Sequence, residues 1–190
     1  MSAELVMGAE PTFQPWIGEK YEDGLDGGVQ LLVLGESHYG QSGTEEAGFT
    51  QTTVVKLGQN KKHPFFTIPA KLVLGMDTSD GISDRERSEF WDRVAFYNYV
   101  QEFIDEGARG DRPTTQMWQE AEEPFLNVLQ GLNPDALLVL GKGLGNNLPD
   151  LDDFDGEVCV VTHPTSGKFS YDDWQPAVQK MLDRAKSKKN

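Results

Sequence analysis

Four apolar runs punctuate the chain, and what lies between them carries either helical spacing or turn residues. "VQLLVLG" (29–35), "VAFYNYVQEF" (94–103), "NPDALLVLG" (133–141) and "EVCVVTHPTS" (157–166) read as strands. Unbroken apolar runs closed by glycine or by Thr-His are what a strand buried on both faces looks like. The second run is rich in aromatic and β-branched residues, which favour a strand. "KHPFFTIPAKLVLG" predicts a helix after Pro64, and "DTSDGISDRERSEFWDRV" predicts one that begins near Ser83. "QMWQEAEEPFLNVLQGLNP" puts Trp118, Ala121, Phe125, Val128 and Leu129 on one helical face. "KGLGNNLPD" opens a short helix at most. "SYDDWQPAVQKMLDRAKS" predicts the closing helix, with Asp172 or Asp173 near its cap. The first thirty residues, "QSGTEEAGFTQTT" and "IDEGARGDRPTT" read as loops. Strands that alternate with helices argue a parallel sheet. The expected fold is a three-layer α/β/α sandwich with a central, mainly parallel four-stranded sheet. Neither repeats nor a linker divide the chain, so 1–190 is expected to be a single domain.

In such sheets the ligand crevice lies beyond the carboxyl ends of the strands. The reactive side chains stand at those ends: Glu36, Ser37, His38 and Tyr39 after the first run, then Asn98, Lys142 and His163. Asn98 carries an acceptor and two donors on one flat head, which complements a pyrimidine edge; it equally suits a residue that holds backbone. His163, before Pro164, sits where an imidazole can donate to a developing oxyanion. Glu36 can position water, stabilise a cation or cap the next turn. Phe49 can stack on a flat ligand or belong to the core.

Composition narrows the partners. The 190 residues are 37% hydrophobic and 25% charged, as for a globular chain. No apolar run is long enough to span a bilayer, so no membrane is expected. The opening "MSAELVMGAEPTF" lacks a basic region followed by an apolar stretch, so no signal peptide is read, and the expected location is cytoplasmic. Cys159 stands alone and reads as a buried strand residue. His38, His63 and His163 lack ligand spacing, so no metal is expected. "GKGLG" at 141–145 lacks the Gly-Lys-Ser/Thr of a phosphate loop, and neither Ser37 nor Ser166 sits in a nucleophile elbow. Against 17 Lys and Arg stand 31 Asp and Glu, a formal net charge of −14. That field repels nucleic acid, so any DNA contact needs a local cationic face. "NKKH" (60–63), Lys142, Lys168 and the tail "RAKSKKN" are the candidates. For the tail, the simpler reading is a solvated helix end with its cations at the favourable end of the helix dipole.

The ordered set of motifs resembles the uracil-DNA glycosylase superfamily. "GESHYG" is similar to that family's first motif, "FYNYVQ" to its strand with a base-reading Asn, and "HPTSG" to its His-Pro-Ser motif. "GDRPTTQMWQEAEEPFLNVLQGLNPDALLVLGKGLGNNL" is similar to the Arg-Pro loop, helix, strand and short helix of the iron–sulfur branch. The likeness spans roughly 29 to 185. It implies catalytic roles for Glu36 and His163. Ser37, Tyr39, Phe49 and Asn98 would bind the base, with Phe49 stacking on it and Asn98 reading its edge. Lys142, Thr165, Ser166 and Lys168 would contact DNA. The implied reaction is hydrolysis of the N-glycosidic bond of a flipped uracil or related base, and it needs no organic cofactor. Four cysteines would be needed for the cluster and one is present, so no cluster is expected. Ser37 stands in place of a water-activating Asp, and Thr165 in place of a Ser. No Leu follows Thr165 as a wedge; Lys168 or Phe169 takes that place. Residues 50–90 read as an insertion, and 1–28 as an irregular N-terminal segment without counterpart. A monomer is expected. Two other classes stay open: a decayed member that binds nucleotides or a protein partner, and a hydrolase of another small substrate.

Overall fold

The computed structural model describes residues 9–105 and 112–189. Its centre is a mixed α/β arrangement around a mainly parallel sheet. The strands are β1 (Trp16–Ile17), β2 (Leu31–Gly35), β4 (Ala95–Asn98), β6 (Ala136–Leu140) and β7 (Glu157–Val161), in the order β1-β4-β2-β6-β7. Two short strands, β3 (His38–Tyr39) and β5 (Phe103–Ile104), pair with each other in parallel beside it. Among the described residues the sheet therefore has five strands, not four. The extra strand, β1, runs antiparallel to β4 on the edge and pairs Trp16 with Phe96 and Ile17 with Ala95.

Apolar alternation explains why the four parallel strands sit where they do. Val33 pairs with Phe96 and with Leu138. These three face one core, together with Leu31, Leu140 and Val161. Leu32, Leu34, Tyr97, Leu137 and Val139 face the other. All five residues of β2 and all five of β6 are buried. Each large side chain so placed contributes about 1.5–3 kcal/mol. The first core is closed by α2 (Pro64–Val73), α3 (Asp84–Trp91) and α7 (Tyr171–Lys189). The second is closed by α5 (Glu122–Leu132) and by Leu144 of α6 (Lys142–Gly145).

Several expected boundaries shift. The run 94–103 is not one strand: β4 ends at Asn98, and the chain turns before β5. Tyr99 N–H and Val100 N–H still donate to the carbonyls of Gly35 and Glu36, both at 2.9 Å, so the backbone there follows β2 a little further. The polar loop at 41–53 ends in a helix, α1 (Phe49–Thr53), continued by a π-helical stretch at Val54–Gln59. That stretch is held at its far end by Arg87, which is fully buried on α3. Arg87 Nε donates to the Gly58 carbonyl at 2.8 Å, Nη2 to that of Gln59 at 2.9 Å, and Nη1 to Asp84 at 3.0 Å. A side chain thus serves carbonyls that the helix end would leave unpaired. The helix expected at 116–134 breaks at Ala121 into α4 (Thr115–Glu120) and α5. Trp118, Ala121, Phe125, Val128 and Leu129 do share one packed face. Ser83 caps α3 with a reciprocal Ser83–Glu86 capping box, and Cys159 is buried in β7. Segment 50–90, read as an insertion, supplies Val54, Phe66, Ala70, Leu72 and Phe90 to the core. Of the expected loop at 104–115, residues 106–111 lie outside the described ones, as do 1–8 of the N-terminal segment.

Candidate active site at the carboxyl edge of the sheet

β2 lies between β4 and β6, so chain order reverses there, and the crevice beyond the strand ends is the natural ligand position. A cavity of about 420 Å³ occupies this edge. Among its lining residues are Glu36, Arg112, Trp118, Lys142, His163 and Ser166. Gly141 also lines it, at φ 147°, a conformation that favours glycine.

Glu36 follows β2 directly. Its backbone carbonyl is held by Val100, and its side chain is only 15% exposed. One carboxylate oxygen accepts from Arg112 Nη1 at 3.4 Å, and the arginine itself is 77% exposed. His163 stands two residues beyond β7. The Thr165 N–H donates to its Nδ1 at 3.3 Å, and the Thr165 hydroxyl lies 3.1 Å from the same atom. An N–H can only donate, so Nδ1 is the acceptor and the neutral ring carries its proton on Nε2. Burial, aided by the positive charge of Arg112, pushes the His163 pKa below the ordinary histidine value. The ring is therefore neutral at pH 7 and offers Nε2–H as a donor.

Asn98 closes β4 at the same edge and is 3% exposed. Its Oδ1 finds no hydrogen-bond partner among the described residues. That oxygen sits against Gly35, where any Cβ would collide with it. The ring of Phe65, from the first turn of α2, reaches the same spot, and its centroid lies 5.4 Å from that of His163. Phe65 thus stands beside the histidine and beside Gly35, against which Asn98 Oδ1 lies; neither Phe65 nor Asn98 is among the residues that line the cavity. Trp118 supplies an aromatic wall, steadied by Tyr99 at 5.7 Å between ring centroids.

Of the expected site residues, the structure brings Glu36, Lys142, His163 and Ser166 onto one cavity, with Thr165 bonded to His163 and Asn98 buried at the same edge. It does not bring Tyr39 or Phe49 there. Tyr39 is 57% exposed on β3. Phe49 packs with Phe13, His38 and Phe103, its ring 4.8 Å from Phe103 and 4.9 Å from His38. Ser37, half-buried, is not among the cavity-lining residues. Lys142 donates to the Val160 carbonyl at 2.9 Å and lies 4.2 Å above the Trp174 ring, a fixed charge in the wall. Lys168 is exposed on the loop before α7. The basic tail is consumed within the molecule: Lys186 bonds Asp26, Lys188 bonds Glu157, and Lys189 bonds Asp135.

His38 is a different kind of histidine. It is 4% exposed, its Nε2 lies 3.0 Å from Thr50 Oγ1, and burial lowers its pKa to about 4. It belongs to the aromatic cluster rather than the cavity. Sequence reasoning missed Arg112, Phe65 and Trp118. The "RP" turn was the only sign of Arg112, while Phe65 and Trp118 carried the pattern of core residues.

Among the described residues no group of three or more His, Cys, Asp or Glu side chains could hold a metal ion. No helix there is long and apolar enough to cross a membrane. No protein-family model matches this chain, and no curated protein sequence matches it.

Proposed function

We propose that the protein is a base-excision glycosylase of the uracil-DNA glycosylase type, with helices on both faces of its sheet as the outer layers of a three-layer sandwich. The observation that carries this reading is Glu36 and His163 on one cavity at the carboxyl edge, the histidine with its proton on Nε2. Cleavage of an N-glycosidic bond leaves a cation on the sugar and an anion on the base. The half-buried Glu36 carboxylate stabilises the first or orients water, and His163 Nε2–H stabilises the second. Asn98 reads the base edge with its amide. We assign the stacking role to Phe65 rather than Phe49, because Phe65 stands beside His163 and beside Gly35, against which Asn98 Oδ1 lies. A volume of about 420 Å³ is in the range of small-ligand sites and takes one nucleotide, not a stretch of duplex. The target must therefore be flipped out or already unpaired.

The test is single-turnover release of free base from uracil-containing oligonucleotides, single- and double-stranded, by wild type, Glu36→Gln and His163→Ala. Loss of a preorganised donor at a developing anion costs about 10²–10³ in rate, so His163→Ala is expected in that range. No release by wild type from any substrate removes the reading. A binding protein with the same pocket is then the better account, since the recognition roles proposed for Asn98 and Phe65 do not depend on a bond being cut.

A further inference from the structure

The cavity's electrostatics run against those of the whole chain. In a molecule of net charge −14, its lining among the described residues carries Arg112 and Lys142 against the single carboxylate of Glu36. Lys142 is fixed by the Val160 carbonyl and the Trp174 ring. Arg112 is not fixed in this way. Its guanidinium is largely exposed, and among the described residues its one bond is the long, single contact to Glu36. A planar fork of five N–H donors that uses one of them at 3.4 Å is poorly satisfied, and forks of this kind match phosphate oxygens in pairs. Two neutral donors line the same cavity. His163 presents Nε2–H, and Ser166 Oγ accepts the Lys168 N–H at 3.2 Å, which leaves its hydroxyl hydrogen free to donate. Several phosphates would need more cations than this. The tail lysines are bonded elsewhere, so a long track along a DNA backbone is not what the cavity offers.

We propose that Arg112 is the phosphate-binding residue of this cavity and that it takes one phosphate group, the one attached to the nucleotide whose base is held there. The inference rests on the reading of the cavity as a nucleotide site. In the free protein Arg112 rests on Glu36. A bound phosphate takes its other donors, so nucleotides that carry phosphate are selected over bare nucleosides. This makes Arg112 a specificity residue, distinct from the groups at the glycosidic bond.

The experiment is equilibrium binding by calorimetry and thermal shift with the full chain. The probes are dUMP, deoxyuridine, inorganic phosphate and a short single-stranded oligonucleotide containing one deoxyuridine. A paired, charge-assisted contact is expected to make dUMP bind at least about tenfold tighter than deoxyuridine. Arg112→Ala should abolish that preference, and Arg112→Lys, which keeps the charge without the fork, should restore part of it. Inorganic phosphate should weaken dUMP binding and leave deoxyuridine binding unchanged. One phosphate contact also predicts that oligonucleotide affinity falls with salt at a log–log slope of about −0.7 to −1. Equal affinity for dUMP and deoxyuridine in wild type overturns the proposal, as does a dUMP preference that survives in Arg112→Ala. A slope several times steeper points instead to a phosphate track and overturns the single-phosphate assignment. Phosphate binding that depends on Arg112, without base release, keeps the phosphate site and removes the glycosylase reading. Base release without any phosphate preference does the reverse.

Discussion

The side-chain oxygen of Asn98 occupies the space a Cβ on Gly35 would fill. Gly35 and Asn98 are direct register partners of β2 and β4, so the glycine is what lets the amide lie flat at the end of the sheet. Phe65 and Phe96 close the same space from above, each with a ring carbon 3.2 Å from that Cβ position.

Gly35→Ala should therefore displace Asn98 into rings that have little room to yield. Overpacking of this kind costs about 1–3 kcal/mol. The expected outcome is a lower midpoint in urea with an unchanged slope, together with loss of dUMP binding. Wild-type stability and binding in this variant would mean that the amide has another place to go.

Arg87 is a buried cation that belongs to the fold rather than to the site. Arg87→Met keeps the volume but leaves the Gly58 and Gln59 carbonyls without their donor. Each buried carbonyl left without a partner costs about 1–3 kcal/mol, so a loss of about 2 kcal/mol or more is expected. Chemical denaturation measures it, and a midpoint within error of wild type would show that the two carbonyls are served otherwise. Base release by the folded fraction should be unchanged.

How much of this was legible depends on where the signal resides. β2, β6 and β7 are unbroken apolar runs, and the pattern finds all three. The runs read as strand overshoot the last two, 133–141 against Ala136–Leu140 and 157–166 against Glu157–Val161, because the flanking turn residues carry no stop signal of their own. β1 is invisible for a physical reason. Two residues between Pro15 and Gly18 have no periodicity, and what holds them is distant. The Trp16 indole donates to the Trp91 carbonyl at 2.9 Å and the Gly18 N–H to that of Val94 at 3.1 Å. The break after Asn98 was masked because Tyr99, Val100 and Gln101 are buried and read as strand, yet they leave it to bond β2 and the N-terminal segment. Gln101 Oε1, for example, accepts the Phe13 N–H at 2.8 Å. α1 was read as loop because Thr50, Thr52 and Thr53 are weak helix formers, and tertiary contacts overrode that preference.

The site divides in the same way. Glu36 and His163 stand at strand ends, where topology alone brings them together. Arg112 reaches Glu36 from a loop 76 residues further along the chain, which no local pattern encodes. Phe65 and Phe49 are chemically alike, and only packing shows that one faces His163 while the other faces His38.

His38 gives the fold a pH dependence whose sign follows from burial. Its folded pKa is about 4, below the ordinary 6.5, so the unfolded chain binds this proton first as pH falls. Its contribution is therefore fully present above about 6.5 and is lost progressively down to about 4, by an amount on the order of 3 kcal/mol. His163 is lowered too and acts in the same direction. Urea unfolding at pH 7.5 and 5.0 should show a clear loss of stability that shrinks in His38→Gln. An identical pH slope in that variant would assign the effect to other groups.

The two phenylalanines separate fold from recognition. Phe49 is one ring of a four-ring cluster with Phe13, His38 and Phe103, and truncating it removes contacts on several sides. Phe49→Ala should destabilise the protein by about 2–4 kcal/mol and leave dUMP affinity of the folded fraction close to wild type. Phe65 also packs on Phe66 and Phe96, so Phe65→Ala costs stability as well. Stability alone does not discriminate, and the informative quantity is binding measured below each variant's unfolding transition. Phe65→Ala should weaken dUMP and deoxyuridine alike, because stacking acts on the base, whereas Arg112→Ala should weaken dUMP only. Base–aromatic stacking is worth about 1–3 kcal/mol, so about tenfold or more is the expected loss in Phe65→Ala, with substantial recovery in Phe65→Tyr. Wild-type affinity for both ligands in Phe65→Ala, or a recognition defect in Phe49→Ala instead, would return the stacking role to Phe49. In that case the base would have to approach from the His38 side of the sheet edge.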